Sequence, residues 1–471
     1  MILSKRFGAI PARLLARGAF TLLVTAGAWG CAREEQGPTA PNGKINGGSV
    51  VSPQQPDLDS ALAVHRRHTI RLIAIPGVVG TAVGLTAARQ PAIKIYTKTD
   101  RVAGLPANLE GIPVDVQVTG GLSAIAAQGN AVASSCDFGS CTPTAVWPTP
   151  VPIGVSTGVN ALLQGNCTSG TIGARVKAGS TIYALSNNHI YARENTAALG
   201  TGVFQPGLAE NAQCSTSGYN AIGTLSRFAT IQFCSATCPD NTIDAAIAVS
   251  DATNLDNSTG PDGYGWPDAT VMAATLGLNV QKYGRTSALT TGQVTGIDAT
   301  VTVGYVTGTA QFVHQIIIGA CPTPCGKPGD SGSLWVTNDA NKSPVGLLFA
   351  GNQDGSVSIA NRIGDVLAFF AVTVDNSPAP TASGGLTGSG GYYCSDAIKS
   401  VTASGTNTIN LTDDCGNTGT MILSGATASG GLTGSGGYYC SDAIKSVTAS
   451  GSKWISLQDD CANKGYIRLS F

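Results

Sequence analysis

Gly329-Asp330-Ser331-Gly332-Ser333 stands directly before the apolar run Leu334-Trp335-Val336. A glycine at 329 lets the backbone turn sharply enough to aim amide N–H groups at a developing negative charge. Ser331 is then placed as a nucleophile, but an alcohol is weak at neutral pH and needs a base beside it. Turns rich in Gly, Asp and Ser are also common in β proteins for purely conformational reasons, so the string has to be weighed with its partners.

Two segments upstream supply them. Leu185-Ser186-Asn187-Asn188-His189-Ile190 reads as a strand end, a polar turn and a single histidine, a placement suited to a general base. In Asn241-Thr242-Ile243-Asp244-Ala245-Ala246-Ile247-Ala248 an acid enters an otherwise apolar stretch. A buried carboxylate is costly unless paired, and an imidazole N–H is one group that can satisfy it. A turn-capping role just before the strand is the competing reading of Asp244.

The remaining composition fits many short strands. The chain has 471 residues, of which only 12% are charged, with 61 glycines and 23 prolines, so a mainly β architecture is expected. Length alone suggests more than one unit at roughly 150 residues per domain. The formal net charge of -1 lacks the basic excess that a phosphate backbone demands, which argues against nucleic acid as a partner.

Along the chain, Lys5, Arg6, Arg13 and Arg17 precede a short apolar run from Ala19 to Ala28, the pattern of an export signal over residues 1–31. Residues 32–56 read as a tether rich in Gly, Pro, Gln and Ser. Over 57–120, Leu58, Ala61, Leu62, His65, Leu72 and Ile73 fit one face of a helix opened by Asp57. The stretches Val78 to Leu85, Ile93 to Thr97 and Val114 to Val118 read as strands, giving a small α+β domain or pro-segment. Whether that unit inhibits, assists folding or is permanent stays open. His65 and His68 are assigned surface or packing roles. Residues 121–152 read as a second linker, and 153–375 as the main β domain, with strands expected at Thr181 to Leu185, Ile243 to Val249, Val280 to Tyr283, Gln315 to Ile318 and Val345 to Phe349. A closing helix is expected across Ile359 to Val372.

The tail repeats itself, residues 381–405 recurring unchanged as 427–451, so that 376–426 and 427–471 are two copies of one unit. Each is too small for much of a core, and one disulfide per copy would compensate. The Thr-Ala-Ser-Gly-Gly-Leu-Thr-Gly-Ser-Gly-Gly stretches read as spacers. Tyr392, Tyr393, Tyr438, Tyr439 and Trp454 are available for stacking on a ligand at a cell surface, such as a glycan; passive spacing is the alternative.

Thirteen cysteines leave one unpaired, and Cys31 is the natural odd one, at a box similar to that of lipoprotein signals. Lipidation there would anchor the chain to a membrane. The others fall into plausible pairs, Cys136–Cys141, Cys234–Cys238, Cys321–Cys325, Cys394–Cys415 and Cys440–Cys461, with Cys167–Cys214 by elimination, although spacing alone does not fix the connectivity. The short Cys-x3-Cys spacings also occur in metal sites, but few histidines and an export signal favour disulfides in a secreted or cell-surface protein. No metal and no other cofactor is expected.

The order His189, Asp244, Ser331 and these contexts resemble the chymotrypsin-like serine peptidases, more closely the bacterial trypsin-like members with a Ser-Asn-Asn-His stretch. Lys282-Tyr283-Gly284-Arg285-Thr286-Ser287, Thr291-Gly292-Gln293-Val294 and Gly346-Leu347-Leu348-Phe349-Ala350-Gly351 are similar to the same group, so the resemblance spans roughly 153–375. It implies a double β-barrel and an endopeptidase acting on protein or peptide. In it Ser331 attacks, His189 carries the proton, Asp244 orients the imidazole, and the N–H groups of Gly329 and Ser331 form an oxyanion hole. The competing reading is a non-catalytic binding protein that works through its tail. The chain also departs from the family pattern. No clear activation site is visible before the barrel, so Asp330 would need a partner other than a new N-terminus. Cys325 stands six residues before Ser331, the position that in the family lies at the base of the specificity pocket, so the resemblance implies no cleavage preference. Phe349 stands where a serine often supports the acid, which leaves that hydrogen bond unassigned. His314 reads as structural.

Overall fold

The computed structural model describes residues 57–376, apart from 129–132, 135 and 137–140, together with backbone strands between 381 and 470. The architecture is mainly β, as expected. Asn279–Gly284 pairs with Ala288–Gly304, which pairs with Thr309–Gly319, then Ser358–Arg362, Pro344–Asn352 and Leu334–Thr337, and the last returns to Asn279–Gly284. The sheet thus closes into a barrel, which removes most of its exposed edge. All six of its strands contribute to one buried cluster, through Val280, Val294, Ile316, Trp335, Leu348 and Ala360.

A second, nine-stranded sheet carries Ala174–Ala178, Thr181–Ser186, Ala246–Ser250, Asn220–Phe228, Gly202–Gln205, Ser156–Val159 and Thr168–Thr171, with short strands at either end. Val176, Leu185 and Ile247 from this sheet share one buried cluster with Leu334, Val336 and Leu347 of the barrel. The two sheets therefore meet along a common apolar seam.

The expected strands form with bounds shifted by a few residues. The closing helix is shorter than expected, Ile363–Phe370, because Ser358–Arg362 is drawn into the barrel as a strand. Helix Leu58–Ile73 begins where Asp57 accepts a hydrogen bond from Ser60 N at 2.6 Å. The strands Val78–Leu85, Pro91–Thr97 and Ile112–Val118 follow it, and Val78–Leu85 pairs antiparallel with Ala288–Gly304. One sheet thus runs from the 57–120 region into the barrel without a break. Gly84 permits that approach, since a Cβ there would lie 2.7 Å from the Thr295 carbonyl.

The helix packs Ala61, Val64 and Leu72 onto Val83, Ile93 and Ile95. His65 is buried and shares a hydrogen bond with Thr81 Oγ1 at 2.9 Å, while His68 meets Glu110 at 2.7 Å, so both have packing or surface roles. Arg66 Nε donates to Asp298 at 2.8 Å, and His314 pairs with the same carboxylate at 2.6 Å.

In the tail, each copy forms a four-stranded antiparallel sheet of the same order. The spacer reading of the Thr-Ala-Ser-Gly-Gly stretches is corrected here: Thr381–Gly385 is a strand paired with Thr418–Ser424, and Thr427–Gly431 pairs with Lys464–Ser470. A glycine-rich stretch still offers backbone donors and acceptors, and the neighbouring strand supplies their partners. The tail cysteines and the tyrosine pairs lie outside the described residues. Among the described residues four disulfides form, Cys136–Cys141, Cys167–Cys214, Cys234–Cys238 and Cys321–Cys325.

Burial lowers the His65 pKa from 6.5 to about 4, against the attraction of Asp298. Between those values the unfolded chain binds a proton there that the folded chain does not. Stability should fall as pH drops through that window, by at most about 1.4 kcal/mol per pH unit. Urea midpoints at pH 7.5 and 4.5 should differ less in His65→Gln, whose amide retains a bond to Thr81. An undiminished difference would remove His65 as its source.

Candidate active site

Each residue of Ser186-Asn187-Asn188-His189 has a separate task. Ser186, at the end of its strand, donates from Oγ to the Thr171 carbonyl at 2.8 Å. Asn187 Nδ2 donates to the Asp244 carbonyl at 2.7 Å, and Asn188 Nδ2 to the Ala229 carbonyl at 2.6 Å. The short helix Asn188–Tyr191 is thereby clamped on two sides, and His189 within it is 2% exposed. His189 Nδ1 lies 2.6 Å from Asp244 Oδ2, and its backbone N–H donates to Asp244 Oδ1 at 3.2 Å.

Asp244 is fully buried, but the strand begins only at Ala246, so the acid stands in the approach to the strand. The backbone there is held by side chains: Asp244 N donates to Asn361 Oδ1 at 3.0 Å. The carboxylate has a further partner, Tyr305, whose hydroxyl donates to Oδ2 at 2.9 Å. The ring of Tyr305 also meets His189 edge-on, with centroids 5.9 Å apart. Burial, then the Asp244 charge and the hydrogen bond to it, push the Tyr305 pKa well above its ordinary value, so the phenol stays a donor. Tyr305 sits between two long strands, with no local signal in the sequence, and the hydrogen bond left unassigned by Phe349 is made by it.

The turn carrying Ser331 is set by Asp330. This buried carboxylate accepts from Thr286 N at 2.9 Å, Ser287 N at 3.1 Å, Ser287 Oγ at 2.6 Å and Lys327 N at 2.9 Å. Lys282 Nζ, also buried, lies 3.4 Å away and donates to Ser287 Oγ at 2.6 Å. Burial alone would raise the Asp330 pKa, but the Lys282 charge and the donors outweigh it and hold the carboxyl below its ordinary value. The Lys282-to-Ser287 stretch is therefore the cradle of Asp330. Its Arg285 turns the other way and pairs with the buried Glu210.

Gly329 and Gly332 have φ of 102° and 94°, a region that favours glycine. A Cβ on Gly332 would lie 2.4 Å from Ser186 Oγ, so the turn fits against the strand that ends in His189. Thr171 joins both, its N–H donating to the Ser331 carbonyl at 2.7 Å and its Oγ1 to the Gly329 carbonyl at 2.8 Å. Ser331 Oγ donates to the Phe349 carbonyl at 3.3 Å, and His189 Nε2 makes no hydrogen bond. The Gly329 N–H donates to the Ile125 carbonyl. Cys325 is buried and bonded to Cys321, and His314 stands apart, beside Asp298.

No protein-family model and no curated protein matches this chain. Among solved structures it is similar to a glutamic-acid-specific serine protease that uses a histidine triad in substrate binding. The identity is 20% and the TM-score 0.34, over 48% of this chain and 100% of that one. Thermobifida fusca Protease A matches at 19% identity and a TM-score of 0.31, over 44% of this chain and 91% of its own. A Cellulomonas bogoriensis chymotrypsin matches at 18% identity and a TM-score of 0.30, over the same shares, 44% and 91%.

Removing Lys282 leaves a buried carboxylate without its countercharge. Lys282→Met should cost about 3–5 kcal/mol in unfolding free energy. Adding Asp330→Asn should recover part of that loss in a denaturant titration. No recovery would mean that packing, and not charge, was lost.

Proposed function

We propose that this chain is an exported serine endopeptidase using His189, Asp244 and Ser331. The reading rests above all on the buried His189 Nδ1 to Asp244 Oδ2 contact of 2.6 Å, which leaves Nε2 as the ring nitrogen able to take a proton. Asp244 holds the imidazole in the tautomer with hydrogen on Nδ1 and supports the imidazolium that forms. Rotation of Ser331 about χ1 brings Oγ from the Phe349 carbonyl toward Nε2, and catalytic hydrogen bonds commonly tighten only with substrate present. The alkoxide attacks the peptide carbonyl, and the N–H groups of Gly329 and Ser331 face the oxyanion. His189 then passes the proton to the leaving amine, and water hydrolyses the acyl-enzyme by the reverse relay.

Four disulfides among the described residues fit an oxidising compartment outside the cytosol. No helix among the described residues is long and apolar enough to cross a membrane. Anchoring through Cys31 and glycan contact by the tail repeats belong to the same proposal as optional additions to the peptidase.

Ser331 and His189 are buried under other parts of the chain, so the test has two arms. A fluorophosphonate should modify Ser331 in the full chain or after thermolysin has opened the Leu122–Gln128 stretch. His189→Ala should abolish the labelling, and Asp244→Asn should lower kcat by about 10⁴. No labelling in either arm would overturn the reading. Tyr305→Phe keeps the ring and loses one hydrogen bond to a charged group, so a fall in kcat/KM of roughly tenfold or more is expected. Unchanged kcat/KM would make Tyr305 a packing residue only.

A further inference from the structure

The stretch Leu122–Gln128 crosses the site in extended form. On one side Leu122–Ala124 pairs antiparallel with Pro344–Asn352, Ala124 opposite Ala350, Ser123 opposite Gly351 and Leu122 opposite Asn352. On the other, Ala127–Gln128 pairs antiparallel with Thr168–Thr171, Ala127 opposite Ser169. Between them the Ile125 carbonyl accepts the Gly329 N–H, the same amide that faces an oxyanion in the peptidase reading. Ala124 and Ala126 line one pocket together with His189 and Tyr305. The bond that all these contacts bracket is Ile125–Ala126.

The side chain of Ile125 is 5% exposed and packs in a cluster with Val280, Trp335, Leu348 and Ala360. A Cβ on Gly326 would lie 3.3 Å from Ile125 Cδ1 and one on Gly351 3.9 Å from it, so these two glycines leave the space that the isoleucine fills. Strand addition supplies sequence-independent backbone bonds, and a pocket for one side chain supplies selectivity. A pocket walled this way suits an aliphatic side chain and penalises a charged one by desolvation.

A carbonyl resting on a donor is a substrate only if the machinery around it is already formed. Here Asp330 is held by Lys282 and Ser287 from within the barrel, so the Gly329 amide points at Ile125 while the chain is uncut.

We propose that Leu122–Gln128 is the enzyme's own first substrate, cut between Ile125 and Ala126, and that the same pocket selects peptides with an aliphatic residue before the cleaved bond. This rests on the peptidase reading above. Ser331 Oγ adds to the Ile125 carbonyl carbon as its proton passes to His189 Nε2. The carbon–nitrogen bond to Ala126 then breaks, with that proton going to the Ala126 nitrogen. Water, deprotonated by His189, releases Ile125 as a carboxylate and returns the proton to Ser331. Residues up to 125 can remain attached through the pairing of Val78–Leu85 with Ala288–Gly304, which the cut does not touch.

The experiment follows the N-termini of the full chain by mass spectrometry after folding. The wild type should yield a chain beginning at Ala126, and Ser331→Ala should remain whole. Ala126→Pro should fold, by circular dichroism, and resist the cut. Ile125→Lys should slow it at least tenfold, while Ile125→Val restores it, and a peptide spanning residues 122–128 should be cut at the same bond. An intact Ile125–Ala126 bond, or a cut elsewhere, in wild-type protein whose Ser331 labels after thermolysin opening would overturn the proposal. That result would make the stretch an inhibitory strap and leave the peptidase reading standing. An intact bond with no labelling after opening would overturn both.

Discussion

The buried pair of Asp330 and Lys282 is the constraint on which the rest of the site depends. Two charges held in the interior cost several kcal/mol each unless every donor and acceptor is answered. Here the carboxylate collects three backbone N–H groups and a hydroxyl besides the ammonium. Satisfying it draws the Lys282–Ser287 hairpin against the Ser331 turn and fixes which way Gly329 points. Because every partner comes from inside the barrel, the arrangement exists in the continuous chain and does not wait for a new N-terminus.

The strand Ala288–Gly304 performs a comparable task at larger scale. Its sides serve the barrel through Asn279–Gly284 and Thr309–Gly319 and, further along, the 57–120 region through Val78–Leu85. Near its end Gly304 stands opposite Ser123, and the next residue is Tyr305. One strand therefore links the N-terminal sheet, the stretch that crosses the site and the phenol that supports Asp244. Closing the barrel leaves few open edges, and the edge beside the site is taken up by the chain's own residues 122–124.

Several elements are legible in the sequence alone. Asp57 as a helix cap, Val78–Leu85 as a strand and the His189 turn follow from local periodicity and from residues with narrow backbone preferences. Thr381–Gly385 looked like a spacer because its composition is flexible, yet it pairs along its whole length, since pairing is decided by the neighbouring strand. Tyr305 and Ile125 carried no local mark at all, because their significance is a contact with residues far away in the chain.

From the amino-acid order alone came the class of fold, the three residues Ser331, His189 and Asp244 as candidates, and the expectation that Asp330 would need an unusual partner. These are properties of short motifs, whose meaning survives without knowledge of distance. Only the tertiary structure decided that the partner is Lys282, that Tyr305 answers Asp244 where Phe349 cannot, and that Leu122–Gln128 lies across Gly329. The physical reason is that buried charges and backbone amides are satisfied by whatever the fold brings within about 3 Å, and sequence separation does not report that distance.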